Sequence, residues 1–197
     1  MAIIFFIKSK TVNVDNYNIK DIPSSSGRLD VISRCILAAL KKNNNFDENT
    51  QIWVFLDRYG TLIFSFEDLN YTNFPKNEIL LTDYIVSFIQ KKINIKQPFN
   101  PLNSLKKSNK GIIEAIMHFK KLNYNIYILQ EKGEDFFLLF NNIHETENVV
   151  FILGSQEDEF LKSEELSILK IPSLSFGNQS YLASSIIRLV KLYIMRI

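Results

Sequence analysis

Two runs of five apolar residues, Ile3 to Ile7 and Val149 to Leu153, contain no charged residue and no polar alternation. A strand that is apolar on both faces has to be covered on both, which is the condition of strands in a parallel sheet layered between helices. Ile126 to Gln130 and Ile168 to Ile171 read as two further short strands. Between and after these lie segments of helical spacing: Leu29, Ile32, Ile36, Leu37 and Leu40, then Ile112 to Leu122, then Tyr181 to Arg196. Buried strands alternating with helices predict an α/β layered domain with a largely parallel sheet. At 197 residues and 46% hydrophobic content, the chain has the length for one sizeable core, and a single domain over 1–197 is expected.

The remaining segments fit this frame. Gln51 to Leu56 and Thr61 to Phe66 are β-rich and flank Asp57-Arg58-Tyr59-Gly60, which predicts a hairpin. Thr82 is expected to cap a helix reaching Lys92, and the stretch from Pro98 through Pro101 to Asn109 to be irregular. The run Met1 to Ile7 has no preceding basic region and is stopped by Lys8, so it reads as a strand rather than a signal peptide. No segment approaches the ~20 apolar residues of a membrane span. One cysteine, Cys35, leaves no intrachain disulfide and no cysteine zinc cluster, which fits a reducing cytosol. Two histidines, His118 and His144, make no paired-histidine metal motif, so no metal is expected.

A net charge of +2 does not by itself argue for a nucleic-acid partner, so the distribution has to. No acid occurs between Asp83 and Glu114, where Lys91, Lys92, Lys96, Lys106, Lys107 and Lys110 fall. After Glu165 the only charges are Lys170, Arg188, Lys191 and Arg196. Such segregation suits either a basic face for phosphates or ordinary solvated surface.

The last three predicted strands each run into a loop of small or polar residues: Gln130 to Asp135, Gly154 to Glu159, and Pro172 to Ser180. In open α/β sheets ligands bind beyond the carboxyl ends of strands, so these loops are candidate walls of one pocket. There is no dinucleotide fingerprint, phosphate-binding Walker loop or nucleophile elbow. The concentrated feature is Ser24-Ser25-Ser26-Gly27-Arg28-Leu29-Asp30 with Arg34 one turn on. The serines offer capping oxygens, Gly27 permits close backbone approach, and arginine forks match phosphate oxygens. Spacing alone equally allows an internal Asp30–Arg34 pair of ~0.3 to 0.5 kcal/mol.

The segment Asn18-Ile19-Lys20-Asp21-Ile22-Pro23-Ser24-Ser25-Ser26-Gly27-Arg28-Leu29-Asp30-Val31-Ile32-Ser33-Arg34-Cys35 resembles the N-terminal signature of the archaeal TrmY family of tRNA pseudouridine N1-methyltransferases. The similarity continues in order through Asn125 to Leu129 with Gly133-Glu134-Asp135, then Val150 to Gly154, then Ile171 to Ser175 and a final helix. The resemblance implies a SPOUT-type α/β knot, with a largely parallel sheet and a C-terminal trefoil knot. It further implies a cytoplasmic homodimer that uses S-adenosyl-L-methionine to methylate pseudouridine at position 54 in the tRNA T-loop. By position it puts the cofactor against Leu129, Gly154, Ile171, Ser173, Leu174 and Ser175, and the catalytic role on Arg28, Asp30 and Arg34. Asp30 would accept the N1 proton or orient Arg34, while Arg28 and Arg34 hold phosphate or the developing base anion.

Two segments depart from the family's pattern. Gly154-Ser155-Gln156 passes directly into Glu157-Asp158-Glu159 where the family has a longer loop. Gln179-Ser180-Tyr181-Leu182-Ala183 stands where the family has a His-rich, Cys-containing segment, and a Pro-Gly element before the third helix is missing. A knotted RNA-binding protein without catalysis, or a sister enzyme acting on ribosomal RNA pseudouridine, are the alternatives these departures leave.

Overall fold

The apolar runs build the centre of the sheet. The computed structural model describes residues 1–91, 100–140, 147–154 and 160–194. In chain order these form β1 (Ile3–Ser9), α1 (Ile22–Ser25), α2 (Leu29–Leu40), β2 (Lys41–Lys42), β3 (Asn45–Phe46), β4 (Thr50–Leu56), β5 (Gly60–Phe64) and α3 (Glu78–Gln90). They continue with β6 (Lys106–Ser108), α4 (Ile112–Lys121), β7 (Asn125–Asp135), α5 (Phe136–Phe140), β8 (Val149–Leu153), α6 (Glu164–Ile168), β9 (Ser173–Ser175) and α7 (Ala183–Ile194). Seven strands make one sheet in the order β6-β5-β4-β1-β8-β7-β9. The five from β4 to β9 are parallel, and the β4–β5 hairpin and β6 add an antiparallel edge.

Alternation along β1 divides the core. Ile3, Phe5 and Ile7 pack with Leu29, Ile32 and Ile36 of α2 and Ile187 and Val190 of α7. Ile4 and Phe6 point the other way, against Ile112, Ile116 and Phe119 of α4. On that second face Phe6 sits 5.0 Å from Phe55 and 5.7 Å from both Trp53 and Phe119, centroid to centroid. Helices on both faces explain why these strands tolerate no charge.

Several expectations are corrected. Ile168 to Ile171 is not a strand: Ser163 caps α6 by accepting the Leu166 N–H, Leu166 turns inward, and Ile168 is left 70% exposed. The strand that follows is Ser173–Ser175 instead. Thr82 caps nothing; Asn77 is the cap of α3, accepting the Leu80 N–H at 2.9 Å. Thr82 lies inside α3, fully buried, with its hydroxyl 2.8 Å from that of Ser33 on α2. The expected irregular stretch contains an edge strand, β6, because Lys106–Ser108 finds unpaired backbone on β5. Lys92, Lys96, Pro98, His144, Glu157 to Glu159 and Arg196 lie outside the described residues.

The path at the end of β7 is unusual. Leu174 is in register with both Leu129 and Glu134, so residues 129–134 carry the chain around Ser173–Ser175. The fit is close at Gly133, where a Cβ would lie 2.7 Å from the Ser173 carbonyl. No helix among the described residues is long and apolar enough to cross a membrane.

Cys35 is completely buried on α2, and burial pushes its thiol up to about 12, with Arg34 and Arg188 opposing. Thiolate is the reactive form. The native protein is therefore expected to give no reaction with a thiol reagent at pH 8 and one equivalent after denaturation.

Candidate functional site

Gln130 to Asp135, expected as a loop, is instead the far half of β7, and of the second expected loop only Gly154 lies among the described residues. The three segments nonetheless converge: Gln130, Glu131 and Lys132 of β7, Gly154 beyond β8, and Phe176, Gly177 and Gln179 to Leu182 beyond β9 line one cavity of about 640 Å³. Parallel strands put all three carboxyl ends on the same side of the sheet, so the wall follows from topology. Leu129 and Leu174, 6% and 1% exposed, form part of its floor.

The first turns of α2 close the cavity from the other side with Arg28, Val31 and Arg34. Local sequence explains this placement. Gly27, at φ +59°, presses so close to the loop after β1 that a Cβ would stand 1.8 Å from the Thr11 carbonyl oxygen. The close approach expected of this glycine is thus an internal one. Ser26 is the serine that caps the helix, its hydroxyl accepting the Leu29 N–H at 3.1 Å and donating to the Ile22 carbonyl at 2.6 Å. Arg28 follows in a left-handed conformation, φ 65° and ψ 35°. The helix start is thereby fixed at its backbone without the side chains of Arg28 and Arg34, both of which line the cavity.

Asp30 joins the two arginines. Arg28 donates from Nε to Oδ1 at 3.1 Å and from Nη2 to Oδ2 at 3.3 Å, and Arg34 donates from Nη2 to Oδ2 at 2.9 Å. Arg34 Nε also lies 3.0 Å from Glu78 Oε2 on α3, an ion pair whose N–H is off the hydrogen-bond axis. The Asp30 side chain is 11% exposed, against 38% and 31% for the arginines. Asp30 itself does not line the cavity; it holds the two groups that do. The internal Asp30–Arg34 pair and the anion-holding fork, alternatives by spacing, coexist.

Of the other expected residues, Gly154 and Leu174 line the cavity with Leu129, whereas Ile171, Ser173 and Ser175 do not. Ile171 is packed into the core beneath α4. Ser173 is paired with Ile128, and Ser175 shapes the third loop, its hydroxyl donating to the Glu131 carbonyl at 2.9 Å and accepting the Gly177 N–H at 3.1 Å. Lys132 and Phe176 line the cavity from within the segments expected to wall it, whereas Lys162 and Tyr181 line it from outside them. The basic face expected over Lys106 to Lys110 is partly neutralised, since Lys106 Nζ lies 3.1 Å from Asp68 Oδ1 and 3.8 Å from Glu67 Oε2. Lys191 is buried and contributes to no surface. No cluster of three or more His, Cys, Asp or Glu side chains that could hold a metal occurs among the described residues.

A sequence profile of the family described as "Putative SAM-dependent RNA methyltransferase" matches residues 2–196. The chain belongs to this RNA methyltransferase family. Among the family's relatives, a tRNA (pseudouridine(54)-N(1))-methyltransferase of Pyrococcus abyssi is 29% identical over 209 residues, covering 98% of each chain. One of the same name from Methanococcus aeolicus is 30% identical over 187 residues, covering 84% of this chain and 85% of its own. The crystal structure of Archaeoglobus fulgidus Nep1 bound to S-adenosylhomocysteine superposes with a TM-score of 0.66 over 100% of this chain and 98% of that one. At 15% identity this likeness speaks to the fold, which is the SPOUT fold with its largely parallel sheet.

Proposed function

We propose that the chain is an S-adenosyl-L-methionine-dependent tRNA methyltransferase that methylates N1 of pseudouridine 54 in the T-loop. The observation that carries the reading is a single cavity in which β7 and the segments beyond β8 and β9 meet Arg28 and Arg34. Relatives of that activity along nearly the whole chain support the same reading.

The cavity suits the cofactor. Its volume of about 640 Å³ lies within the usual span of small-molecule sites, and its apolar floor with loop backbone around it matches an adenosine with a thioether chain. Leu129, Gly154 and Leu174 would hold the cofactor, with Ser175 fixing the third loop behind them. Bound there, S-adenosylmethionine supplies a methyl group activated by the sulfonium charge. Pseudouridine N1 gives its proton to water at the exposed rim before it can act as a nucleophile, and negative charge then spreads over the ring; as the bond from N1 to the methyl carbon forms, the methyl–sulfur bond breaks to leave a neutral thioether. Arg28 and Arg34 are the groups placed to hold that charge, in a cavity where water screens it less than in bulk. Asp30 positions both arginines. With three guanidinium N–H groups already on its two oxygens, it serves better as an anchor than as a proton acceptor.

The same reading carries a C-terminal trefoil knot, a homodimer and a single domain over 1–197 working in the cytoplasm. Support for the knot is the course of residues 129–134 around Ser173–Ser175. Exposed apolar side chains on α5 and α7, Leu138 at 71% and Leu192 at 52%, support a second copy. A tRNA substrate and a lone buried cysteine support the cytoplasm.

Calorimetry with S-adenosylmethionine, followed by incubation of the labelled cofactor with T-loop transcripts carrying pseudouridine or uridine, tests the proposal. Micromolar to submillimolar cofactor binding and label entering only the pseudouridine transcript are expected. No cofactor binding at millimolar concentration would make the chain an RNA-binding knot without catalysis.

A further inference from the structure

Two aromatic rings line the cavity among the described residues, Phe176 and Tyr181, and they are in different states. Phe176 is already occupied: its ring stacks on Phe136 at 4.2 Å and 25° and meets the edge of Phe137 at 5.7 Å. Tyr181 is 41% exposed, and among the described residues no ring or cation packs on its face. Its hydroxyl lies at a long 3.4 Å from Gln179 Oε1, two residues back. The backbone beside it is nonetheless fixed, because the Leu182 carbonyl accepts the N–H groups of Ser185 and Ile186 at 2.8 and 3.1 Å in the first turn of α7. An anchored aromatic ring with a bare face in a functional cavity is built to receive another flat group.

Two flat groups would come to this cavity, the adenine of the cofactor and the target base. Depth separates them. The residues at the strand ends, Leu129 and Leu174, are deeply buried, whereas Tyr181 and its neighbour Leu182, 63% exposed, form the rim from which a macromolecule approaches. A base inside a folded T-loop must leave its stack to be modified, and single bases regain that lost stacking on aromatic side chains. We infer that Tyr181 is the platform on which the extruded pseudouridine stacks, presenting its N1 edge to the cavity that Arg28 and Arg34 share. This rests on the function proposed above. It also gives the Gln179 to Ala183 segment, a departure from the family pattern, a task of its own.

The test uses full-length Tyr181→Ala, Tyr181→Leu and Tyr181→Phe. Three quantities are read: equilibrium binding of a pseudouridine-containing T-loop hairpin without cofactor, the steady-state KM and kcat on tRNA, and the calorimetric Kd for S-adenosylmethionine. Loss of one base stack should weaken hairpin binding and raise KM by about five- to a hundredfold in the Ala and Leu variants, with kcat and cofactor Kd within about twofold of wild type. Tyr181→Phe should bind hairpin within about twofold, since the ring face is retained. A cofactor Kd weakened in Tyr181→Ala with hairpin binding unchanged would move the ring to the adenine and overturn the inference. So would a Phe variant as impaired as Ala, or an Ala variant indistinguishable from wild type. Wild-type protein that binds the hairpin but transfers no methyl would overturn the enzymatic function alone, because the hairpin ratios among the variants still decide the role of Tyr181.

Discussion

Arg34→Ala is expected to methylate pseudouridylated tRNA about a hundred- to a thousandfold more slowly at saturating substrate, the range seen when one fixed donor to a developing anion is removed. The argument is positional. Arg34 lines the cavity, is one-third exposed, and is held by Asp30 at 2.9 Å and by Glu78 at 3.0 Å from two different helices. Its charge is therefore in place before substrate arrives, so little reorganisation is needed as the base becomes anionic. Asp30 gives a discriminating companion. If it anchors the arginines, Asp30→Asn keeps part of the hydrogen bonding and should retain more activity than Asp30→Ala, with the pH–rate profile unmoved. If it takes the N1 proton, the Asn and Ala variants should be equally impaired and the profile should lose its acidic limb. Single-turnover rates from pH 5 to 9 separate the two outcomes.

Lys191→Met is expected to lower folding stability by about 3 to 5 kcal/mol, the usual result of leaving one partner of a buried pair uncompensated. Lys191 and Asp47 are 8% and 1% exposed, with Nζ 3.1 Å from Oδ2. The same ammonium group donates to the carbonyls of Ala39 and, at 3.1 Å, Lys41, so a residue of α7 caps the C-terminal end of α2. Removing it leaves a carboxylate and two carbonyls without their cation. In the double variant Lys191→Met with Asp47→Leu no charge is stranded, and most of the loss should return, giving a large coupling in a double-mutant cycle. The pair also has a pH signature. Burial lowers the Lys191 pKa from 10.5, with Asp47 opposing, so the unfolded chain holds the proton more tightly than the folded one. Its contribution therefore makes stability rise with pH through the alkaline window ending near 10.5. Chemical denaturation at pH 8 and pH 10 reads this contribution, which Lys191→Met should abolish.

What could be read in the sequence was the part governed by local pattern. Ile3 to Ile7 and Val149 to Leu153 admit no solvent-facing side, so a doubly covered sheet followed, and the carboxyl ends of its parallel strands were bound to meet on one side, although Gln130 to Asp135 is strand rather than loop and the last strand is Ser173–Ser175 rather than Ile168 to Ile171. The start of α2 was legible in the serines that offer a cap and in Gly27, which permits close approach, while the left-handed Arg28 between them and the helix was not. The rest depended on partners far along the chain. Thr82 looks like a cap until Ser33, 49 residues earlier, is found against it. Ile168 to Ile171 has β composition, but the capped turn at Ser163 and the burial of Leu166 make Ile168 the last residue of α6 and Leu169–Lys170 a turn. Lys191 reads as a surface cation until Asp47 appears beneath it. Lys162 and Tyr181 carry no motif, and only the folded chain reveals that they share a cavity with Arg28 and Arg34.

The most direct measurement is the position of the methyl group. Fully pseudouridylated tRNA, incubated with the protein and S-adenosylmethionine, is digested to nucleosides and compared by mass and chromatography with N1-methylpseudouridine. A single N1-methylpseudouridine from the T-loop, absent when the transcript carries uridine there and strongly reduced with Arg34→Ala, is the predicted result. A methyl group on any other atom, or equal methylation of the uridine transcript, would contradict the assignment of this cavity to pseudouridine N1.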